Sequence, residues 1–297
     1  MRLFVTGASG WIGSATVRSL LAAGHEVVGL ARSTGSAETV ERLGARARRG
    51  DLTDLDSLRA GAADSDGVVH LAYLHDFSRI ADAARLDLEA ITALGEALEG
   101  SGRPLVVASG TMGLAPGRVG TEGDVPDPSA HPRSASAYAV AALADRGVRG
   151  VVVRFAPTVH GPGDRGFVAA LVAAARERGV SAYVDDGANR WPAVHRLDAA
   201  ELVRLAVEQA PPGSAVHATA EPGIPSREIA EAIGRNLGLP VVSVPRERAT
   251  DHFGWIGMFF GADVPASSER TQALLGWRPT NPGLIADLDA GLYTAGL

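Results

Sequence analysis

The first thirteen residues constrain this chain more than any other stretch. Leu3-Phe4-Val5 is an apolar run ending in Thr6-Gly7, and glycines fall at 7, 10 and 13. A helical apolar pattern follows through Ala15, Val17, Leu20 and Leu21. The order reads as strand, tight turn, helix. Such a turn lets backbone approach a pyrophosphate, with a helix N-terminus supplying N–H donors and the positive end of its dipole. A tight strand–helix connection without a ligand has the same spacing, but the placement between strand and helix favours a dinucleotide site. Gly7, Ser9, Gly10, Trp11, Ile12 and Gly13 are its candidate residues.

Strand and helix signals then alternate. Glu26–Leu30 reads as a second strand ending in Ala31-Arg32-Ser33. An acidic residue at that place binds the 2′-hydroxyl of NAD, whereas an arginine accommodates a 2′-phosphate, so Arg32 and Ser33 favour NADP, with NAD the weaker cofactor. A helix around Glu38–Leu43 leads to Gly50-Asp51-Leu52-Thr53, where Thr53 is suited to cap the next helix with Asp56 as its partner. Gly67–Ala72 and Leu105–Ala108 are apolar enough for buried parallel strands, as is Val151–Phe155. A long helix spans Ile80 to Leu98, residues 113–134 form a Gly- and Pro-rich loop, and Ala135–Ala144 is a helix carrying Tyr138.

Such alternation predicts an α/β fold, a Rossmann-type doubly wound parallel sheet. Residues 1–163 are assigned to it, with returning segments near 198–220, where Ala215–Ala218 reads as a strand. Residues 164–197 and 221–297 are assigned to a smaller C-terminal α/β substrate lobe. In that part Phe167–Arg178 reads as helix, Ala182–Val184 and Val241–Val244 as short strands, and Asn189–Pro192 as loop. Asp198–Glu201 reads as a capping box, Ser226 as a cap, and Ser268–Trp277 as a final helix. Aromatics concentrate at His252–Trp255 and Met258–Phe260, as core or as substrate wall.

Composition removes several chemistries. The chain of 297 residues has no cysteine, so disulfides, thiolate catalysis and Cys-ligated metals are excluded, and no metal site is expected. All 28 basic residues are arginine, so no step can use a lysine ammonium or a Schiff base. A net charge of −6 gives no reason to expect nucleic acid or an anionic membrane as partner. No signal-peptide layout or membrane-length apolar run is present, so a cytoplasmic location is expected.

Candidate chemistry gathers at the strand ends, which line the ligand crevice of such folds. Ser109 and Thr111 follow Leu105–Ala108 and could orient a carbonyl or stabilise an oxyanion, or cap a turn. His75 follows the strand at 67–72, beside Asp76, and His160 follows the strand at 151–155. Imidazole is the side chain suited to giving and taking a proton near neutral pH. His195 is a further imidazole, beside the capped helix.

These residues together resemble the extended and atypical short-chain dehydrogenase/reductases, of the NAD-dependent epimerase/dehydratase-like branch. Thr6–Gly13 matches their TGxxGxxG turn, and Gly50–Thr53 and His70-Leu71-Ala72 match the next strand ends. Arg154–Gly163 resembles their R-x-P-x-x-Y/H-G-P-G segment, Val194–Asp198 their H-V-x-D stretch, and Leu275–Thr280 their closing LGW-x-P. The resemblance implies that the turn backbone at Ser9–Ile12 holds pyrophosphate. It places adenine at Asp51 and Leu52, the ribose side at Leu71 and Ala72, and the nicotinamide amide at Pro157 to Val159. It gives Ser109 or Thr111 the active-site hydroxyl. The family's Tyr-x-x-x-Lys dyad is broken: Tyr138 is followed four residues later by Ala142. An unassisted tyrosine is a poor base at neutral pH but can still donate a proton.

The expectation is an NADP-dependent oxidoreductase of carbonyl reductase or alcohol dehydrogenase type. Its substrate would be small and fairly apolar, and Tyr138, His160 or His75 would handle the proton. An epimerase or dehydratase that retains its cofactor is the alternative, and a non-redox dinucleotide-binding sensor or repurposed enzyme is a third. Homodimers are common among such proteins.

Overall fold

The computed structural model describes residues 1–74, 76, 79–127 and 132–293. The apolar runs assigned above to the parallel sheet become strands whose side chains alternate between two covered faces. The order begins β1 (Arg2–Thr6), α1 (Trp11–Ala22), β2 (Glu26–Ala31), α2 (Thr34–Arg42), β3 (Arg46–Arg49) and α3 (Leu55–Ala63). It continues β4 (Gly67–His70), α4 (Ile80–Leu98), β5 (Pro104–Gly110), α5 (Ser134–Ala142) and β6 (Arg149–Phe155). After β7 (Thr158–His160), α6 (Phe167–Arg178), β8 (Ser181–Val184), β9 (Arg190–His195) and α7 (Arg196–Gln209), strand β10 (Ser214–Ala218) returns to the large sheet.

That sheet has seven strands in the order β10-β6-β5-β4-β1-β2-β3, and every pairing is parallel. The doubly wound α/β architecture expected from the alternation is the one observed. On one face Leu3, Val5, Val153 and Val216 pack with Val17 and Leu20 of α1 and with Leu202 and Val203 of α7. On the other, Phe4, Val68, Leu105 and Val107 pack with Leu58 of α3, Leu94 of α4 and Val140 of α5. Burial on both faces is why these strands are almost continuously apolar.

A second core collects β11 (Glu221–Pro225), α8 (Ser226–Leu237), β12 (Val241–Val244), α9 (Ala249–Phe253), α10 (Gly257–Phe260) and α12 (Leu284–Asp289), together with α6, β8 and β9, whereas α11 (Glu269–Leu275) buries Leu275 in the first core. Trp191, Phe253, Ile256, Phe260 and Leu284 are buried in it. β8 pairs in parallel with β12, while β9 lies between β7 and β11. Trp277, just past α11, is buried in the first core instead and donates to the Asp198 carbonyl at 3.0 Å.

Several local expectations need correction. Asn189–Pro192 is not all loop, because Arg190–His195 is the central strand β9. Pro192, with no N–H to give, is tolerated there: β7 begins pairing only at Ala193, and β11 bulges between Glu221 and Ile224. Asp54, not Thr53, caps α3, its side chain accepting from Ser57 N at 3.0 Å. Helix α7 starts at Arg196 with His195 as cap, so Asp198 is no N-cap. Ser226 lies inside α8 and donates its hydroxyl to Asn189 Oδ1 at 2.6 Å. The helix at Glu269–Leu275 is followed by α12, so it is not the last.

Candidate active site

The expected cofactor residues fall in one row. Gly7–Gly13 follow β1, Arg32 and Ser33 follow β2, Asp51 and Leu52 follow β3, and Leu71 and Ala72 follow β4. Ser109 closes β5, and Pro157 to Val159 follow β6. All six are carboxyl ends of neighbouring parallel strands, and the chain crosses from one half of the sheet to the other between β1 and β4. A crevice at that switch point is where such sheets take ligands.

The turn after β1 is shaped for close backbone approach. Gly7 sits at φ +69°, and a Cβ there would lie 2.7 Å from Ala72 N. A Cβ on Gly13 would lie 2.0 Å from the Gly7 carbonyl oxygen, so only glycine lets α1 start against the turn. Gly10 is the N-cap of α1, no side chain caps this helix, and no acid lies in its first turn. An uncapped N-terminus behind a glycine cradle fits a pyrophosphate. Trp11 donates its indole N–H to Val159 O at 2.8 Å, tying the turn to β7. The Arg196 guanidinium lies 4.1 Å over the Trp11 ring and donates to Ser14 Oγ at 2.6 Å.

At the β2–β3 end Arg32 is exposed. Ser33 is engaged locally: its hydroxyl accepts from Ser36 N in the capping box of α2. Asp51 accepts from Thr53 N at 3.0 Å and Thr53 Oγ1 at 2.8 Å. The Thr53 backbone N–H holds its carboxyl below the usual range against burial, helped by the Thr53 hydroxyl and the charge of Arg32. Sequence reasoning missed Arg49, register partner of Ala31, which donates to Thr34 Oγ1 at 2.9 Å. The basic run Arg46–Arg49 was its visible signal.

The expected proton-handling groups separate. Ser109 is half-buried at the end of β5, and its strand parity puts it on the face of Val107 that α5 covers. Thr111 turns inward, its N–H on Phe155 O at 3.0 Å and its hydroxyl on the same oxygen at 3.5 Å, so it joins the β5 and β6 ends. Tyr138 is 42% exposed and donates to Pro126 O at 3.0 Å, committing its hydroxyl to the loop before α5. His160 is fully buried, Nδ1 2.6 Å from Asp287 Oδ2 and its ring edge-on to His195 at 5.5 Å. It fastens β7 to α12. His75 lies outside the described residues.

In place of those groups the structure assembles a buried polar chain behind the ends of β1, β4 and β5. Ala72 N donates to Thr6 Oγ1 at 3.2 Å, and Thr6 Oγ1 lies 2.8 Å from His70 Nδ1. His70 Nε2 faces Asp87 Oδ1 at 3.4 Å, too long and poorly angled for a full hydrogen bond but close enough for charge attraction. Asp87, 2% exposed on α4, accepts from Ser136 Oγ at 2.8 Å and Arg133 Nε at 3.3 Å. Burial opposes its ionisation, but His70, Arg133 and Ser136 together hold its carboxyl below the usual range. Arg133 also donates to Ala108 O at 2.7 Å, and its guanidinium lies 3.9 Å over the Tyr73 ring. Nothing in local sequence signals this chain, because its members come from four separate elements.

Met112, three residues past Ser109 in the chain, packs against the second core, where Phe167 meets Trp255 at 5.3 Å and stacks on Phe259 at 6.5 Å. Trp255 and Met258 remain partly open.

The family model described as NAD dependent epimerase/dehydratase matches residues 3–218. An uncharacterised protein of Schizosaccharomyces pombe is 49% identical over 99% of this chain and 100% of its own length. A 3-diazoavenalumate denitrifying reductase of a Streptomyces species is 30% identical over 95% of this chain and 97% of its own. A double mutant of dTDP-glucose 4,6-dehydratase from Streptomyces venezuelae, with NAD and DAU bound, superposes with a TM-score of 0.78. That pair shares 22% identity and covers 98% of this chain and 96% of the other.

Proposed function

The chain belongs to the NAD dependent epimerase/dehydratase family, and from that footing we propose that it is an NADP-linked oxidoreductase acting on a small, fairly apolar carbonyl compound or the matching alcohol, with NAD the weaker cofactor. One observation carries the reading: the row of strand ends that suits a dinucleotide begins at exposed guanidinia. Arg32 and Arg49 stand at the end where a 2′-phosphate belongs. Met112, three residues past Ser109, packs against the second core together with Phe167, whose ring meets Trp255, and such an apolar surface suits a substrate that must shed water.

The bound nicotinamide supplies hydride transfer. Ser109 donates its hydroxyl to the substrate oxygen and orients the carbonyl. The backbone at Ser9–Ile12 binds pyrophosphate, and Pro157 to Val159 meet the carboxamide. That apolar surface excludes water. Binding of NADPH and NADH followed by nicotinamide fluorescence, then loss of nicotinamide absorbance against a panel of aldehydes and ketones, tests the reading. Stronger binding of NADPH and turnover of apolar carbonyls are expected; equal binding of both with no turnover on any carbonyl would overturn it.

A second reading is an epimerase or dehydratase that keeps its cofactor. The Trp11–Val159 strap favours it, because a turn tied down at 2.8 Å suits a ligand that stays. Cofactor that survives purification and exchanges slowly would select this reading.

A further inference from the structure

The hydrogens of the buried polar chain behind the strand ends can be assigned one by one. Among the described residues Thr6 Oγ1 has two partners, the Ala72 N–H at 3.2 Å and His70 Nδ1 at 2.8 Å. An amide N–H only donates, so the Thr6 hydroxyl proton goes to His70 Nδ1. A ring with a bare Nδ1 carries its proton on Nε2, and His70 Nε2 faces Asp87 Oδ1 at 3.4 Å. We propose that Asp87, on a helix that adds nothing to the row of strand ends, is a positioning residue for the dinucleotide: it selects the His70 tautomer, and through it the Thr6 hydroxyl that holds Ala72 against the glycine turn. The proposal rests on the dinucleotide reading above.

Asp87 is the deciding group because of what surrounds it. His70 Nε2 and Asp87 Oδ1 are both buried, and neither makes a full hydrogen bond among the described residues, so each is the other's polar neighbour. Ser136 Oγ at 2.8 Å and Arg133 Nε at 3.3 Å take up Asp87 Oδ2 and leave Oδ1 for the ring. Burial opposes ionisation of Asp87, but the His70 contact, the Arg133 charge and the Ser136 hydroxyl hold its carboxyl below the usual range. A carboxylate facing Nε2 favours the proton there, since the other tautomer sets a ring lone pair against the negative charge.

The other end of the chain acts on the cradle directly. Leu71 N donates to Thr6 O at 3.2 Å and Ala72 N to Thr6 Oγ1, so one residue of β1 holds both residues that follow β4. Gly7 comes next, and a Cβ there would lie 2.7 Å from Ala72 N, so the turn and the β4 end touch backbone to backbone. Between these two segments the sheet changes direction, and a dinucleotide there meets both. Thr6, His70 and Asp87 stand in the order of a nucleophile triad, but Thr6 is wholly buried with its oxygen on the Ala72 N–H, so the set positions backbone and attacks nothing. With asparagine at 87, Ser136 and Arg133 both donate where Oδ2 was and draw the amide oxygen, so the NH₂ turns to the ring. The ring proton then moves to Nδ1, and Thr6 faces two donors with no acceptor for its own hydrogen. The Ala72 bond is the one that gives way.

Nitrogen shifts and cofactor titrations on the full chain test the proposal. In wild type the ring nitrogens of His70, identified by nuclear Overhauser contacts to Thr6, should report a proton on Nε2 alone; a proton on Nδ1 would overturn the proposal. D87N should move that proton to Nδ1 and weaken NADPH about 2–12-fold, the worth of one neutral hydrogen bond. T6V should weaken NADPH to the same extent, and T6S should restore it. In the T6V background D87N should cost nothing further, because the coupling runs through the hydroxyl. Losses that add in the double variant, or NADPH binding indifferent to T6V, would overturn the proposal. If wild type binds neither NADPH nor NADH, the dinucleotide reading fails and the positioning role with it, while the ring nitrogens still decide whether Asp87 sets the tautomer.

Discussion

Replacing Asp198 should loosen the joint between the C-terminal segment and the nucleotide-binding half. Its carboxylate is 3% exposed in the first turn of α7. It accepts from Thr280 N at 3.0 Å, Asn281 N at 3.1 Å and Asn281 Nδ2 at 2.8 Å. Three bonds to a charged acceptor at about 1.5–3 kcal/mol each put a ceiling near ~9 kcal/mol on the loss. Thr280 is exposed and Asn281 only half-buried, so water replaces part of each bond, and we expect D198A to cost about 3–4 kcal/mol. D198N should cost about half as much. Its remaining carbonyl keeps an acceptor for Thr280 N and Asn281 Nδ2, but its new amide faces the Asn281 N–H donor to donor. Urea unfolding followed by tryptophan fluorescence reads both, since Trp277 donates to the carbonyl of this residue. At roughly 2–4 °C per kcal/mol for a chain of this size, D198A should also melt about 6–16 °C lower. A D198A midpoint equivalent to less than about 1 kcal/mol, or D198N worse than D198A, would refute the reasoning.

His217 carries an acid sensitivity. Its Nδ1 lies 2.7 Å from Ser267 O and its Nε2 3.3 Å from Arg154 Nη1, so the neutral ring donates to one and accepts from the other. Burial pushes it down to about 4, Glu122 opposing and Arg154 reinforcing the shift. The unfolded imidazole takes its proton near 6.5, so the unfolded chain holds more protons between those values and stability falls as pH falls through that window, by about 3 kcal/mol in all. H217N should flatten this part of the urea midpoint profile; an unchanged slope would count against it. R32A should weaken NADP about 10–150-fold, the worth of a charged hydrogen bond, and leave NAD within about threefold; a parallel loss of both cofactors would remove Arg32 from the phosphate. G13A should abolish dinucleotide binding in fluorescence titration at a cost of about 1–3 kcal/mol in stability, because its Cβ meets backbone that has nowhere to move; retained binding would mean the turn is not the cradle.

The fold was legible where a signal is local. Apolar runs marked β1, β2, β4, β5 and β6, and the glycine turn marked the helix that follows β1. The candidate site was legible as a set of strand ends, because the crevice position follows from topology. What failed was anything decided at long range. His160 looked like an active-site imidazole from its loop, but its surroundings are set by Asp287 on α12, 127 residues away. Asn189–Pro192 looked like loop, since only the bulge in β11 makes room for Pro192 in a central strand. Arg133 and Asp87 gave no motif, because an ion pair 46 residues apart exists only after α4 and α5 pack on the same face.

The seventh strand of the large sheet has a consequence for synthesis. β10 emerges from a ribosome about 60 residues after β6, which is roughly 3–12 s at ordinary elongation rates. Through that interval the Val151–Val153 edge stands unpaired, and an open apolar edge invites strands from other chains. Two arginines bracket it, Arg149 and Arg154, as charges commonly flank unavoidable aggregation-prone runs. Once the strand is covered, the same residues become fasteners: Arg149 donates to the carbonyls of Val207 and Ala210, and Arg154 to His217. The charges that guard the nascent edge are consumed in closing it.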